Sequence, residues 1–155
     1  MLPESIELQV VTPRHLLVQE RVNEVQVPGK NGYLGILPGH APLLSELQLG
    51  ELSYRKGNRW AYLTVFWGFV EVLPERVVVL AEVAERGEEI DVERAREARD
   101  RAQDRMKRLD DPDLDITRAQ AALQRALVRL QVAGKAGGAG ALAPGRHSEE
   151  SGSTP

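Results

Sequence analysis

Apolar and polar positions alternate through the first half of the chain and fall into a helical repeat in the second. Ile6, Leu8 and Val10 alternate with polar neighbours, as do Val25 and Val27 ahead of a turn expected at Pro28-Gly29. This period of two is the signature of strands with one buried face. From Trp60 to Leu73 a similar pattern flanks Gly68 and makes Tyr62, Phe66 and Phe69 the heavy core candidates. Val77, Val79, Ala81 and Val83 predict a last strand, and Val78 and Leu80 on its other face predict burial on both sides. Turn signals at Lys56-Gly57-Asn58, Gly68 and Pro74-Glu75 space these strands as a meander. Short strands with frequent turns predict an antiparallel β-sandwich or barrel.

From Asp91 to Ala133 the repeat changes to steps of three and four. Val92, Ala95, Ala98, Ala102, Met106 and Leu109 form one apolar line, and Ile116, Ala119, Leu123, Ala126, Leu127 and Leu130 a second. Asp91 and Asp115 stand where N-caps belong. The short connector Asp110-Asp111-Pro112-Asp113-Leu114 makes the two helices antiparallel neighbours. Both lines are narrow and rich in alanine, so they permit close approach but bury little area, and the hairpin depends on what it docks against. Gly134 onward is rich in Gly, Ala and Ser and predicts a disordered tail. The fold expected is α+β: an antiparallel β-sandwich over 1–89, a two-helix hairpin over 90–133, and a tail over 134–155.

Composition removes several classes of function. No cysteine is present, which excludes disulfide scaffolds, thiol catalysis and cysteine-bound metal. A mean hydropathy of -0.32 and short apolar runs give no membrane span, and Met1–Ser5 lacks the features of a signal peptide. These features place the chain in a reducing cytoplasm. The formal net charge of -3 argues against non-specific nucleic-acid binding. The ten basic residues in 91–133 are interleaved with nine acids, the pattern of a solvated face. Gly29, Gly32, Gly35 and Gly39 are not followed by the Lys-Ser/Thr of a phosphate loop and read as turn glycines. His40 has no paired nucleophile, and Trp60 and Trp67 read as sandwich core. No carboxylate pair, metal cluster or nucleophile–base arrangement stands out, so no catalytic residues are assigned.

Two stretches are specific. Gly32-Tyr33-Leu34-Gly35-Ile36-Leu37-Pro38-Gly39-His40-Ala41-Pro42-Leu43-Leu44, and Gly68-Phe69-Val70-Glu71-Val72 followed by Val77–Glu82, resemble the epsilon subunit of bacterial F-type ATP synthase, called delta in mitochondria. The resemblance spans about 1–133 in the order sandwich, then hairpin. It implies a non-catalytic subunit of the central stalk, peripheral on the cytoplasmic side of the bacterial cell membrane. Its partners would be the gamma subunit, the c-ring and the alpha/beta catalytic hexamer, with membrane contact only through the complex. Tyr33, Leu34, Pro38, Gly39, His40, Ala41 and Pro42 would lie at the gamma and c-ring interface. Many relatives carry an acid at the position of Tyr33, so here an aromatic contact replaces a charge pairing.

A third match sits at the domain junction. Ile90-Asp91-Val92-Glu93-Arg94-Ala95 resembles the Ile/Leu-Asp-x-x-Arg-Ala motif that binds ATP in some bacterial epsilon subunits. By the same resemblance Glu85, Ile90, Asp91, Arg94, Ala95, Arg101, Arg125 and Arg129 would hold ATP as a regulatory ligand, with Mg optional and no cofactor required. Guanidinium groups converging across a helix pair suit a polyphosphate, and Asp91 suits the adenine amino group. The implied function couples proton transport to ATP synthesis and restrains ATP hydrolysis through the hairpin. Alternatives at this point are a hairpin that inhibits without sensing ATP, an unrelated sandwich and coiled-coil adaptor, and a small nucleotide-dependent enzyme.

Overall fold

The computed structural model describes residues 2–138 and 140–142. Eight strands come first: β1 (Ile6–Val11), β2 (Leu16–Val22), β3 (Glu24–Gly29), β4 (Gly32–Ile36), β5 (Leu43–Leu47), β6 (Gly50–Lys56), β7 (Arg59–Val72) and β8 (Arg76–Arg86). A 3-10 turn at Gly87–Glu89 leads to α1 (Val92–Met106) and α2 (Ile116–Ala136). The strands form one sheet in the order β2-β1-β8-β7-β5-β3-β4, with β6 bridging β3 and β7. It is folded over a core of Ile6, Leu8, Val10, Val25, Val27, Leu52, Leu63, Val70, Val72, Val77 and Val79. The expected meander is present as β6-β7-β8. Not every pair is antiparallel, because β1 runs parallel to β8. The turn expected at Pro28-Gly29 falls later, since β3 runs through both residues and pairs Gly29 with Gly32.

Four aromatic and aliphatic assignments need correction, those of Trp67 and Phe69 for a local reason. Leu63 and Val65 face the core from odd positions of β7, whereas Val70 and Val72 face it from even ones. The strand reverses its faces across Trp67 and Gly68, both at positive φ (55° and 136°). A β-carbon at Gly68 would lie 1.9 Å from the Leu80 carbonyl oxygen, so only glycine fits. Phe66 is buried, but Trp67 is turned outward and Phe69 is 49% exposed. β8 is not buried on both faces either: Leu80 and Val83 are exposed, because among the described residues the helical cover packs against β6 and β7 instead.

The other layer is covered by α2, which packs against β6, β7 and the 3-10 turn, while α1 packs on α2. Consecutive residues Gly50–Tyr54 are therefore all buried, Leu52 and Tyr54 by the core and their neighbours by the helix side. The helices meet through Ala95, Ala102, Ala119 and Ala126, each at most 4% exposed. Asp91 and Asp115 cap them, accepting from the Arg94 and Arg118 backbone N–H groups at 3.1 and 3.0 Å. α1 ends at Met106, so Leu109, expected on its apolar line, is exposed in the connector. α2 runs through Ala136, past the boundary expected at 133. Gly140–Leu142 then return to pair with Trp60 in β7, so the expected tail begins as ordered chain. Positions 143–155 lie outside the described residues.

Candidate functional site

The strand–turn–helix junction and the two helices enclose a cleft of about 480 Å³ lined by Glu85, Glu89, Ile90, Asp91, Arg94, Ala95, Ala98, Arg101 and Arg129. That volume lies within the usual range for small-molecule sites. Arg94 and Arg101 are two turns apart on one face of α1, and Arg129 approaches from α2. Arg125, expected with them, is half-buried one turn before Arg129 but is not among the lining residues. Seven of the eight residues expected around a nucleotide thus share one cleft.

Arg129 is already engaged. Its Nε donates to Glu85 Oε1 at 2.8 Å, the same oxygen accepts from the Thr64 hydroxyl at 3.1 Å, and its guanidinium lies 4.9 Å from the Phe66 ring centroid. Thr64 and Glu85 are cross-strand partners, so the sheet presents the carboxylate to the helix. A second anchor lies two turns on, where Lys135 Nζ and Gln131 Nε2 both donate to Glu51 Oε2, at 2.8 and 3.3 Å. This bond from the Glu51 carboxylate pushes the Lys135 pKa up. Between the anchors, Val132 is fully buried and meets Gly87, where a β-carbon would lie 2.6 Å from Ala136. Thr64, Phe66, Glu51 and Gln131 were not legible as site residues, because their roles arise only once α2 lies on the sheet.

The residues expected at a stalk interface divide between the two ends of β4. Tyr33 is 61% exposed at its start, where its hydroxyl accepts from the Glu51 backbone N–H at 3.1 Å. Leu34 packs partly on the core. Pro38, Gly39 and His40 are half-buried in the loop beyond β4, and Ala41 and Pro42 are exposed. The Gly39 N–H donates to the Pro74 carbonyl at 2.8 Å, tying that loop to the β7–β8 turn. His40 Nδ1 lies 2.7 Å from the Ala41 carbonyl, which fixes the proton on that nitrogen. A transverse apolar row was missed: Phe69 pairs Leu80, Leu80 pairs Val11 and Val11 pairs Leu16 across four strands. Its signal was the unbroken apolar run Val77–Ala81, read as two-sided burial. Among the described residues no group of His, Asp and Glu could hold a metal ion, and no helix is long and apolar enough to cross a membrane.

A folded-over sheet carrying a docked, alanine-seamed helical hairpin defines the class, and known proteins share it. Family models for the ATP synthase delta/epsilon chain match residues 5–87 (beta-sandwich domain) and 88–134 (long alpha-helix domain). The chain belongs to this family, the epsilon-type central-stalk subunits of F-type ATP synthase. It is 49% identical over 134 residues to ATP synthase epsilon chain 2 of Syntrophotalea carbinolica, covering 86% of this chain and 97% of that one. The ATP synthase epsilon chain of Koribacter versatilis is 55% identical over 103 residues, 66% of this chain and 72% of its own. In fold it resembles a chain in the cryo-EM structure of the Euglena gracilis mitochondrial ATP synthase, with a TM-score of 0.73 at 24% identity, over 86% of this chain and 83% of that chain.

Proposed function

We propose that this chain is a non-catalytic rotor subunit that couples proton transport to ATP synthesis, and that its hairpin is a brake on ATP hydrolysis released by ATP. The observation that carries the reading is the cleft itself: Arg94 and Arg101 come from α1, Arg129 from α2 and Glu85 from the sheet. Such a cleft exists only while the hairpin is docked, so a ligand filling it favours the docked form by its differential affinity. Arg94 and Arg101 would hold the phosphates, with Mg optional, and Asp91 would accept from the adenine amino group while capping α1.

The remaining partners follow from surface chemistry. The open row of Phe69, Leu80 and Leu16 offers gamma an apolar contact, and the Tyr33–Pro42 segment faces gamma and the c-ring. An extended hairpin would carry its tip, where Arg105, Arg108 and Arg118 lie together with Asp111, Asp113 and Asp115, toward the alpha/beta hexamer. Contact with the membrane would be through the complex alone, on the cytoplasmic side. A second reading, inhibition without ATP sensing, draws on the engagement of Arg129 by Glu85, which needs no ligand to neutralise it. Calorimetric titration of the full chain with ATP separates the two. Saturable binding weakened by Arg94→Ala supports the sensor, and no heat at millimolar ATP removes it.

A further inference from the structure

β7 has a free edge at one end. β6 pairs with it from Arg59 to Val65, but β8 stops at the pair Leu63–Arg86 and leaves Arg59–Tyr62 open on that side. Unpaired backbone groups at a sheet edge take up another strand readily. The occupant here is the chain itself. After α2, the Trp60 N–H donates to the Gly140 carbonyl at 3.1 Å and the Leu142 N–H donates to the Trp60 carbonyl at 2.8 Å, a parallel bridge centred on Ala141. Leu142 packs against the edge of the core, over a recess of about 170 Å³ shared with Tyr54, Ala61 and Leu63.

We propose that the open edge of β7 is a docking site for the chain's own C-terminal segment, and that Gly140–Leu142 clasp the hairpin to the sandwich. Both Lys135 and the clasp lie beyond the matched long-helix domain, which ends at residue 134. The constraint is geometric. Four residue-to-residue steps lead from Ala136 to Gly140 and span at most about 14 Å when fully extended. While the clasp holds, the C-terminal end of α2 stays within that radius of Gly140, which is hydrogen-bonded to Trp60, although α2 is itself about 32 Å long. A hairpin swung away from the sheet must first release it. That regulatory consequence rests on the proposed movement of the hairpin, whereas the clasp does not.

Hydrogen exchange read by mass spectrometry on the full chain tests it, beside a chain ended at Gly138 and a Leu142→Asp variant. Both variants should lose protection at the Trp60 amide and exchange about tenfold faster over 129–136, with β1 and β3 unchanged. Unaltered exchange at Trp60 and over 129–136 in both overturns the clasp. In the reassembled synthase, clasp-deficient chains should inhibit ATP hydrolysis more strongly. Faster α2 exchange with unchanged hydrolysis would uphold the clasp and sink the proposed brake instead.

Discussion

Arg129 lines the cleft and pairs with Glu85, so on the proposed sensor reading its removal should weaken docking as well as ATP binding, whereas Arg94→Ala should weaken ATP binding alone. Arg129→Ala deletes an ion pair with Glu85 whose partners are about a third exposed (30% and 33%), and a guanidinium 4.9 Å from a buried phenyl ring. Partial exposure limits the ion pair to about 0.5–1 kcal/mol. The ring contact adds about 0.5–1 kcal/mol. Docking therefore loses about 1–2 kcal/mol, which raises the open population of α2 roughly 5- to 30-fold. Arg94 is exposed, and only its backbone N–H takes part in the cap. Its substitution should leave docking intact and, on the proposed sensor reading, weaken ATP binding by about 1.5–3 kcal/mol, roughly 10- to 150-fold in affinity. Hydrogen exchange over 126–136, with and without ATP, reads the first effect and calorimetry the second. Equal α2 exchange in Arg129→Ala and the parent chain would refute the assignment of docking energy to this residue. Acceleration by Arg94→Ala of the same size would refute the separation of the two roles.

Gly68→Ala should lose about 3 kcal/mol or more, since positive φ and a clash with the Leu80 carbonyl coincide there; denaturant titration of soluble protein measures it. Asp91→Ala should cost about 1 kcal/mol through the lost cap and show as lower helicity at an intermediate temperature. Alkaline pH should destabilise the sandwich. Burial, reinforced by Glu20, holds the Tyr54 pKa far above its ordinary 10.0, so above pH 10 the unfolded chain loses a proton that the folded one keeps. Stability then falls by at most about 1.4 kcal/mol per pH unit from this group, and Tyr54→Phe should flatten that limb of the denaturation profile.

Strand and helix periodicity were legible because each rests on local geometry. Ile6, Leu8 and Val10 are fully buried at alternate positions, and Ala95, Ala102, Ala119 and Ala126 lie on the predicted lines. Legibility failed where one element's environment depends on another distant in sequence. Phe69 and Trp67 carry a strand pattern, yet the reversal at Trp67-Gly68 moves both to the outer face. Glu51 sits in an alternating strand and would read as solvent-facing, but α2 covers it and Lys135 meets it from 84 residues away. The tail failed for a different reason. Its Gly and Ala content disfavours autonomous structure, whereas pairing with Trp60 needs only three residues and a vacant sheet edge.

The docked hairpin is held by contributions small enough for a ligand to rival. The four buried alanines supply about one methyl each, roughly 3 kcal/mol together at ~0.8 kcal/mol apiece, but they join α1 to α2 and leave docking on the sheet to α2 alone. The Glu85–Arg129 and Glu51–Lys135 pairs, both reached by water, add about 0.5–1 kcal/mol each. A ligand present at a hundred times its dissociation constant adds about 2.7 kcal/mol to the only state that binds it. The ion pairs and the ligand contribution are of one order, so on the proposed sensor reading the equilibrium would respond to ligand concentration rather than sit at either limit. Ala126→Leu should loosen the hairpin itself, since enlarging a residue only 1% exposed where the helices meet overpacks the seam at a cost of about 1–3 kcal/mol. Alanine thus keeps the helices close enough to bring Arg101 and Arg129 to one cleft, while α2 alone holds the pair to the sheet through its pairs with Glu85 and Glu51 and the buried Val132.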